Sequence, residues 1–368
     1  MRLLFMAKER YNWPDIVRFV GIWMVFSIHS NNSGQWDVFF RTVTLQLFFF
    51  CAGMFSTRGL DMPFKDFLLN LFRKLMVPYF FFAVLSGIMQ LASGMYPFTV
   101  TGILWRTLCG IRDHMHAAAL WFFPGMFCLA VYFYIVTFVA RKVSDKQNVR
   151  QLVTGIAVFL VWAASMVSQS IFQKISIGGT NTWCLPWSAD KVAEFLPYYW
   201  AGSLFYPFFC KLNLREEGVV KRCVYILIAL CCVGVLITSL IAPMLYYDCF
   251  KLVGRIPCLP LQLVINSLIV PVPALLGLLI LCKLADGPAF LAKVGASTLL
   301  LCCSEAVFLV IMELAQKYGN FAIPGFPVQG VSRVESGIPY GMAFAVFELF
   351  FIYFLLVPFF RKFCKKFI

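Results

Sequence analysis

Charge is scarce in this sequence: Asp, Glu, Lys and Arg make up 13% of its 368 residues, hydrophobic residues make up 61%, and histidine occurs three times. So few polar groups cannot cover the apolar surface of a water-soluble core, and a mean hydropathy of +0.83 excludes an ordinary soluble domain. Acidic residues are the scarcer sign, 17 against 31 basic, for a net charge of +14. The basic residues lie in short clusters between apolar runs, where positive charge records membrane orientation; nucleic acid is therefore not an expected partner. No small-residue cleavage site follows the first apolar run, which is expected to be a retained helix and not a removed signal peptide. Zinc-ligand spacings, low-complexity linkers and internal repeats are also missing. The lack of a repeat weighs against transporters built from duplicated halves.

What is present is a series of apolar stretches, at 13–32, 36–57, 75–96, 117–140, 151–170, 192–210, 223–243, 259–282, 288–316 and 337–360. Backbone polar groups in lipid must be satisfied within their own segment, so each is a helix candidate. The expected fold is all-α: a polytopic membrane protein of about ten transmembrane helices, each needing roughly 20 residues. One further piece, 98–112, is too short and polar to cross and is expected to be an interfacial or re-entrant helix. A single membrane domain over 1–368, without a soluble appendage, is the expected organisation.

Ten crossings make a prediction about charge, because alternate loops fall on opposite sides. One side collects 21 basic residues: Arg2, Lys8, Arg10; Arg58, Lys65, Arg73, Lys74; Arg141, Lys142, Lys146, Arg150; Lys211, Arg215, Lys221, Arg222; Lys283, Lys293; and Arg361, Lys362, Lys365, Lys366. The other has eight: Arg106, Arg112, Lys174, Lys191, Lys251, Arg255, Lys317 and Arg333. The richer side is expected to be cytosolic and to hold both termini, in a cytoplasmic (inner) cell membrane.

Only Arg18 and Arg41 remain, both within helices. An intramembrane charge costs several kcal/mol unless paired or hydrated, so each is a candidate functional residue. The first helix carries the densest set, Trp13-Pro14-Asp15 to Arg18 and then His29. Proline suits a first turn, and Asp15 and Arg18, at i and i+3, form a pair that partly neutralises the arginine. Arg18 and His29 are 11 residues apart, about 16 Å of rise and close to three turns, so they share a face without touching. A fixed cation at one end and a titratable base at the other suit a long anionic molecule whose reactive end reaches the imidazole. A hydrogen-bonded packing role is the plain alternative for a lone histidine.

His114 and His116, in the outer loop, form an H-x-H pair, but no other ligands cluster with it and no metal site is expected. Glu305 and Glu313 lie eight residues apart near one helix face, and Glu194 and Glu348 also fall in apolar segments; protonated structural carboxyls explain all four as well as a substrate site does. Of 14 cysteines, most sit in apolar runs and behave as small hydrophobes. Cys249 and Cys258 fall in a loop expected outside, where a disulfide is open.

The residues Asp15-x-x-Arg18 with His29 after ten more, Phe72-Arg73-Lys74-Leu75-Met76-Val77-Pro78-Tyr79, and Leu120-Trp121-Phe122-Phe123-Pro124 resemble the membrane acyltransferase-3 family. Its members are integral-membrane O-acyltransferases, mostly O-acetyltransferases of surface glycans and lipid-linked sugars. The resemblance implies that His29 is the catalytic base, Arg18 its essential partner with Asp15 beside it, and Arg73 and Lys74 contacts for the acyl-CoA (acetyl-CoA) donor. Arg41 joins them as a donor-binding candidate. Glu305, Trp121 and His116 are substrate or relay candidates. The chain departs from the family between Gly295 and Glu305, where relatives commonly end the segment in histidine. Expected partners are acyl-CoA, a glycan or lipid-linked sugar acceptor, membrane lipids and, as an open point, a second copy of the chain; no permanently bound cofactor is expected. A transporter or flippase for an anionic or lipid-linked substrate explains the same intramembrane charges but not the Arg18-to-His29 spacing. A structural scaffold ranks last.

Overall fold

The computed structural model describes residues 11–29, 36–94, 98–112, 115–172, 185–212, 218–241, 265, 268, 271–285, 289–320 and 338–364. Among them there are helices, turns and no strand. Five helices are long and apolar enough to cross a membrane: Phe64–Ser93, Ala119–Val143, Gln147–Ser168, Thr298–Gly319 and Met342–Lys362. Phe39–Gly53 and Pro271–Leu284 are shorter apolar helices. The chain is therefore a helical membrane protein with five such spans among the described residues, where about ten were expected. His114 and the Cys249 to Cys258 loop lie outside the described residues.

The exterior and interior are inverted relative to a soluble protein. Leu152, Ile156, Leu160 and Val167 leave one side of the Gln147–Phe172 helix bare, while Asp15, Gln46, Gln90, Glu305 and Glu348 are buried. Lipid tails cover the first kind of face, and the second kind needs partners inside the bundle.

Helix α1, Trp13–His29, starts as its sequence predicts. Pro14 occupies the first turn, and the amides of Asp15 and Ile16 both donate to the Asn12 carbonyl at 3.0 Å. It packs against α2, Trp36–Gly53, and against the short helix Ala289–Ala296. Small residues set these approaches. A Cβ at Gly295 would overlap the Asp15 carbonyl, one at Gly53 the Tyr199 carbonyl, and one at Gly202 the Phe50 carbonyl. Gly53 and Gly202 thus let α2 and the helix Leu196–Lys211 touch backbone to backbone, the packing that lipid-embedded helices favour.

The third apolar stretch begins earlier than the expected residue 75. Phe64–Ser93 is one helix, α3, because a π-helical turn at Phe72–Met76 lets it continue through Pro78. Arg73 and Lys74 are therefore helical and not in a loop. The same device recurs at Ile352–Leu356, two residues before Pro358. In both places the wider turn absorbs the amide that proline lacks and the clash its ring makes with the preceding turn. Phe82 and Phe360, just beyond the two prolines, meet with ring centroids 4.7 Å apart.

The piece at 98–112 forms the ten-residue helix Val100–Cys109, α4, capped by the Thr99 hydroxyl on the Gly102 amide at 3.1 Å. Val100, Leu104, Trp105 and Leu108 are exposed along one side, and Ile103 and Thr107 are buried on the other. It is too short to cross. The ninth apolar stretch is broken in two, Ala289–Ala296 and α5, Thr298–Gly319, where Thr298 donates its hydroxyl to the Gly295 carbonyl.

Candidate active site

Three helices supply one face each to a cavity of about 790 Å³. From α1 come Arg18, Ile22, Val25, Ile28 and His29; from α2, Arg41, Thr44, Leu45, Phe48, Cys51 and Ala52; from α5, Thr298, Leu299, Cys302, Glu305, Ala306, Leu309, Val310 and Glu313. Each set recurs every three or four residues, the period of one helical face. The loop after α4 and the helix Phe122–Val143 close the cavity with Arg112, His116, Trp121, Phe122 and Met126, and α3 contributes Leu75 and Gln90.

Inside it, His29 Nδ1 and Glu305 Oε1 are 2.5 Å apart across 276 residues of sequence. Glu305 is wholly buried, while the His29 side chain keeps 26% of its surface open. The second Glu305 oxygen, Oε2, has no hydrogen-bond partner. A carboxylate on Nδ1 orients an imidazole and leaves Nε2 as the nitrogen carrying the lone pair, the arrangement that prepares histidine as a general base. The charge of Arg41 also acts on this ring.

Arg18 lies at the other end of the same α1 face. Its Nη1 meets Asp15 Oδ1 at 3.0 Å and its guanidinium lies 4.8 Å from the centre of the Phe55 ring. Pairing and cation–π contact offset the cost of a charge in an apolar bundle, roughly 2.5–3.5 kcal/mol at a helix centre. Asp15 itself does not line the cavity; it holds Arg18.

The structure thus gathers Arg18, His29, Arg41, His116, Trp121 and Glu305 around one space. Arg73 and Lys74 are exposed on the π-helical turn, away from the cavity, although the adjacent Leu75 reaches it. Glu313, weighed in the sequence as a structural carboxyl or part of a substrate site, also lines the cavity, while Gln90 and Arg112 line it with no role in the sequence reading. Gln90 was findable by the logic applied to charges, as a lone amide in an apolar stretch. Arg112, 4.8 Å from the Trp121 ring centre, sits in a loop, where composition gives no reason to single it out.

An apolar shell around a buried histidine–carboxylate pair defines a membrane-embedded protein equipped for acid–base chemistry. The chain belongs to the acyltransferase-3 family, whose profile, described as an acyltransferase domain, matches residues 11–331. It is a membrane acyltransferase. No curated protein matches the chain, and no solved structure does.

Proposed function

We propose that the protein is an O-acyltransferase, moving an acyl group, by preference acetyl, from cytosolic acyl-CoA to a hydroxyl of a cell-surface glycan or lipid-linked sugar. The supporting observation is the 2.5 Å contact between His29 and Glu305 in a cavity that also contains Arg18, three turns away on the same helix. His29 Nε2 takes the proton of the acceptor hydroxyl as its oxygen attacks the thioester carbonyl. The tetrahedral adduct collapses, the C–S bond breaks, and the imidazolium returns its proton to the departing thiolate. Products are the O-acyl ester and free coenzyme A, so atoms and charge balance. Glu305 stabilises the imidazolium between the two proton transfers. Arg41 places a fixed positive charge beside the carbonyl that becomes an oxyanion.

The donor enters from the Arg18 end, with its pantetheine arm along the α1 face and its phosphates held at the membrane surface by Arg73 and Lys74. Ten crossings, with 21 basic residues on the cytosolic side and eight opposite, orient the chain so that a cytosolic donor serves an acceptor across the cytoplasmic membrane. Purified protein carrying His29→Ala or His29→Gln is expected to lose transfer of label from acetyl-CoA. A correctly folded variant working at the wild-type rate overturns the proposal. Acetyl-CoA should also raise the melting temperature of the wild type, which a plain transporter of another substrate would not show.

A further inference from the structure

One cation in the cavity wall has no part in the mechanism. Arg112 follows α4, whose last turn is fixed against the bundle: the hydroxyl of the wholly buried Tyr79 donates to the Thr107 carbonyl at 2.6 Å, and Trp187 Nε1 donates to the Leu108 carbonyl at 2.9 Å. The chain then turns at Gly110, with φ +58°, where a Cβ would press on Trp187, Pro124 and Tyr79 at 3.0–3.1 Å. Only glycine suits both that backbone and that space. Two residues on, the Arg112 amide donates to Ser188 Oγ at 2.9 Å, and its guanidinium carbon lies over Trp121, 4.8 Å from the ring centre. Backbone and aromatic ring together hold Arg112 in the cavity wall.

No carboxylate meets this charge. Among the described residues no ion pair or hydrogen bond reaches the Arg112 side chain, whereas Arg18 has Asp15 and Glu305 has His29. Nor are its nitrogens shut away: the buried side-chain nitrogens without a partner belong to other residues. Its N–H groups therefore keep open surface, on the cavity that Arg112 lines. An unpaired guanidinium in an apolar bundle is costly unless it is hydrated or met by an anion, and its fork of N–H groups fits two oxygens of a carboxylate or phosphate. The seat is at the reactive end of the cavity. The turn Ala118–Trp121 packs against α5; Cys302 Sγ lies 3.9 Å from the Ala119 carbonyl, and Cys302 stands one helical turn before Glu305, the partner of His29. The phosphates of an acyl-CoA lie a whole pantetheine arm from its thioester. An anion held here while the thioester is at His29 therefore belongs to the acceptor.

We propose that Arg112, backed by Trp121, is the seat for an oxyanion carried by the acceptor, so that the enzyme selects acceptors bearing a carboxylate or phosphate besides the hydroxyl that is acylated. This rests on the acyltransferase reading above and adds a charge requirement to it. The anion has two sources, a uronate carboxylate or the phosphate of a sugar–phosphate linkage. A neutral sugar leaves the guanidinium unmet and should be the poorer substrate.

The test uses full-length protein, labelled acetyl-CoA and three matched sets of acceptor probe: methyl hexosides, the corresponding methyl hexuronides, and hexose 1-phosphates. The wild type should use a hexuronide or a hexose phosphate with a lower KM than its neutral parent, and the better of the two names the source of the anion. Arg112→Gln should raise that KM roughly ten- to hundredfold, the worth of hydrogen bonds between charged groups, with far smaller changes for the neutral parent and for acetyl-CoA. Arg112→Lys, which keeps the charge but not the fork, should recover part of the loss. Variants still stabilised by acetyl-CoA in thermal melts are folded. In them an unchanged KM for the charged acceptor, equal losses for charged and neutral acceptors, or a raised KM for acetyl-CoA alone overturns the seat and leaves the acyltransferase reading standing. So does a wild type that acylates no charged probe better than its neutral parent. Failure of the wild type to bind or turn over acetyl-CoA overturns the acyltransferase reading. Melts with hexuronide or hexose phosphate alone then decide the seat by itself: stabilisation of the wild type but not of Arg112→Gln supports it, and equal or absent stabilisation overturns it.

Discussion

Three substitutions separate the roles of the residues around His29. Glu305→Ala removes the group that orients the ring and stabilises its charge, and should lower the transfer rate by about 10²- to 10⁴-fold. Glu305→Gln keeps an oxygen for Nδ1–H but not the charge, and should fall between Ala and wild type. Labelled acetyl transfer by purified protein reads both. Asp15→Asn acts one step further out, through Arg18, and should impair donor use while the KM for the acceptor stays near wild type. His116 gives a pH signature of its own. Its folded-state pKa is depressed by burial, so the unfolded chain binds the proton more readily and stability rises with pH. The contribution is present above the ordinary histidine value of about 6.5 and is lost as pH falls below it. His116→Phe should therefore flatten the acid side of the stability curve in thermal melts.

At the scale of the elements, the sequence makes helix faces legible but not which faces meet. The 11-residue step from Arg18 to His29 and the eight-residue step from Glu305 to Glu313 each place a pair on one face, and both pairs line the cavity. The short i,i+3 spacing likewise anticipates the Asp15–Arg18 contact. Glu305 meeting His29 is not legible this way, because helical period says nothing about azimuth between segments 276 residues apart. The π-helical turns escape for a different reason. At Pro78 the expected stretch starts only at residue 75, whereas the π-helical turn joins it to a helix that begins at Phe64; at Pro358 the expected stretch 337–360 already runs through the proline, and only the turn itself goes unread. The approach of the helices depends on glycine. Gly53→Val and Gly202→Val push a side chain into a backbone carbonyl that cannot swing aside. Each should lower the melting temperature substantially, overpacking costing about 1–3 kcal/mol even where neighbours can shift. Gly295→Val should cost activity as well, since the carbonyl it strikes belongs to Asp15, which holds Arg18.

For the whole molecule, the number of crossings decides which end of the cavity faces which compartment. An even count puts both termini on one side, whereas an odd count, such as the five long apolar helices alone, puts them on opposite sides. Among the described residues α1 covers 17 residues and carries Asp15, Arg18 and His29, and it is not one of those five. Those charges cost little if they face the cavity and each other, so a length-and-hydropathy rule undercounts helices that line a site. The segregation of basic residues is an independent measure of topology. Ten crossings place the loop after Val143 inside and the segments after Ser93 and Gly319 outside. Reporter fusions that fluoresce only in the cytosol should therefore be bright after Val143 and dark after Ser93 and Gly319, and a fusion at each terminus should be bright. Five crossings would make one terminus dark. Bright signals at both ends with a dark signal after Gly319 would put the Arg18 end of α1 toward the cytosol, the side from which the donor enters in the proposed reaction. A dark N-terminal reporter would reverse α1 and leave His29, not Arg18, nearest the donor.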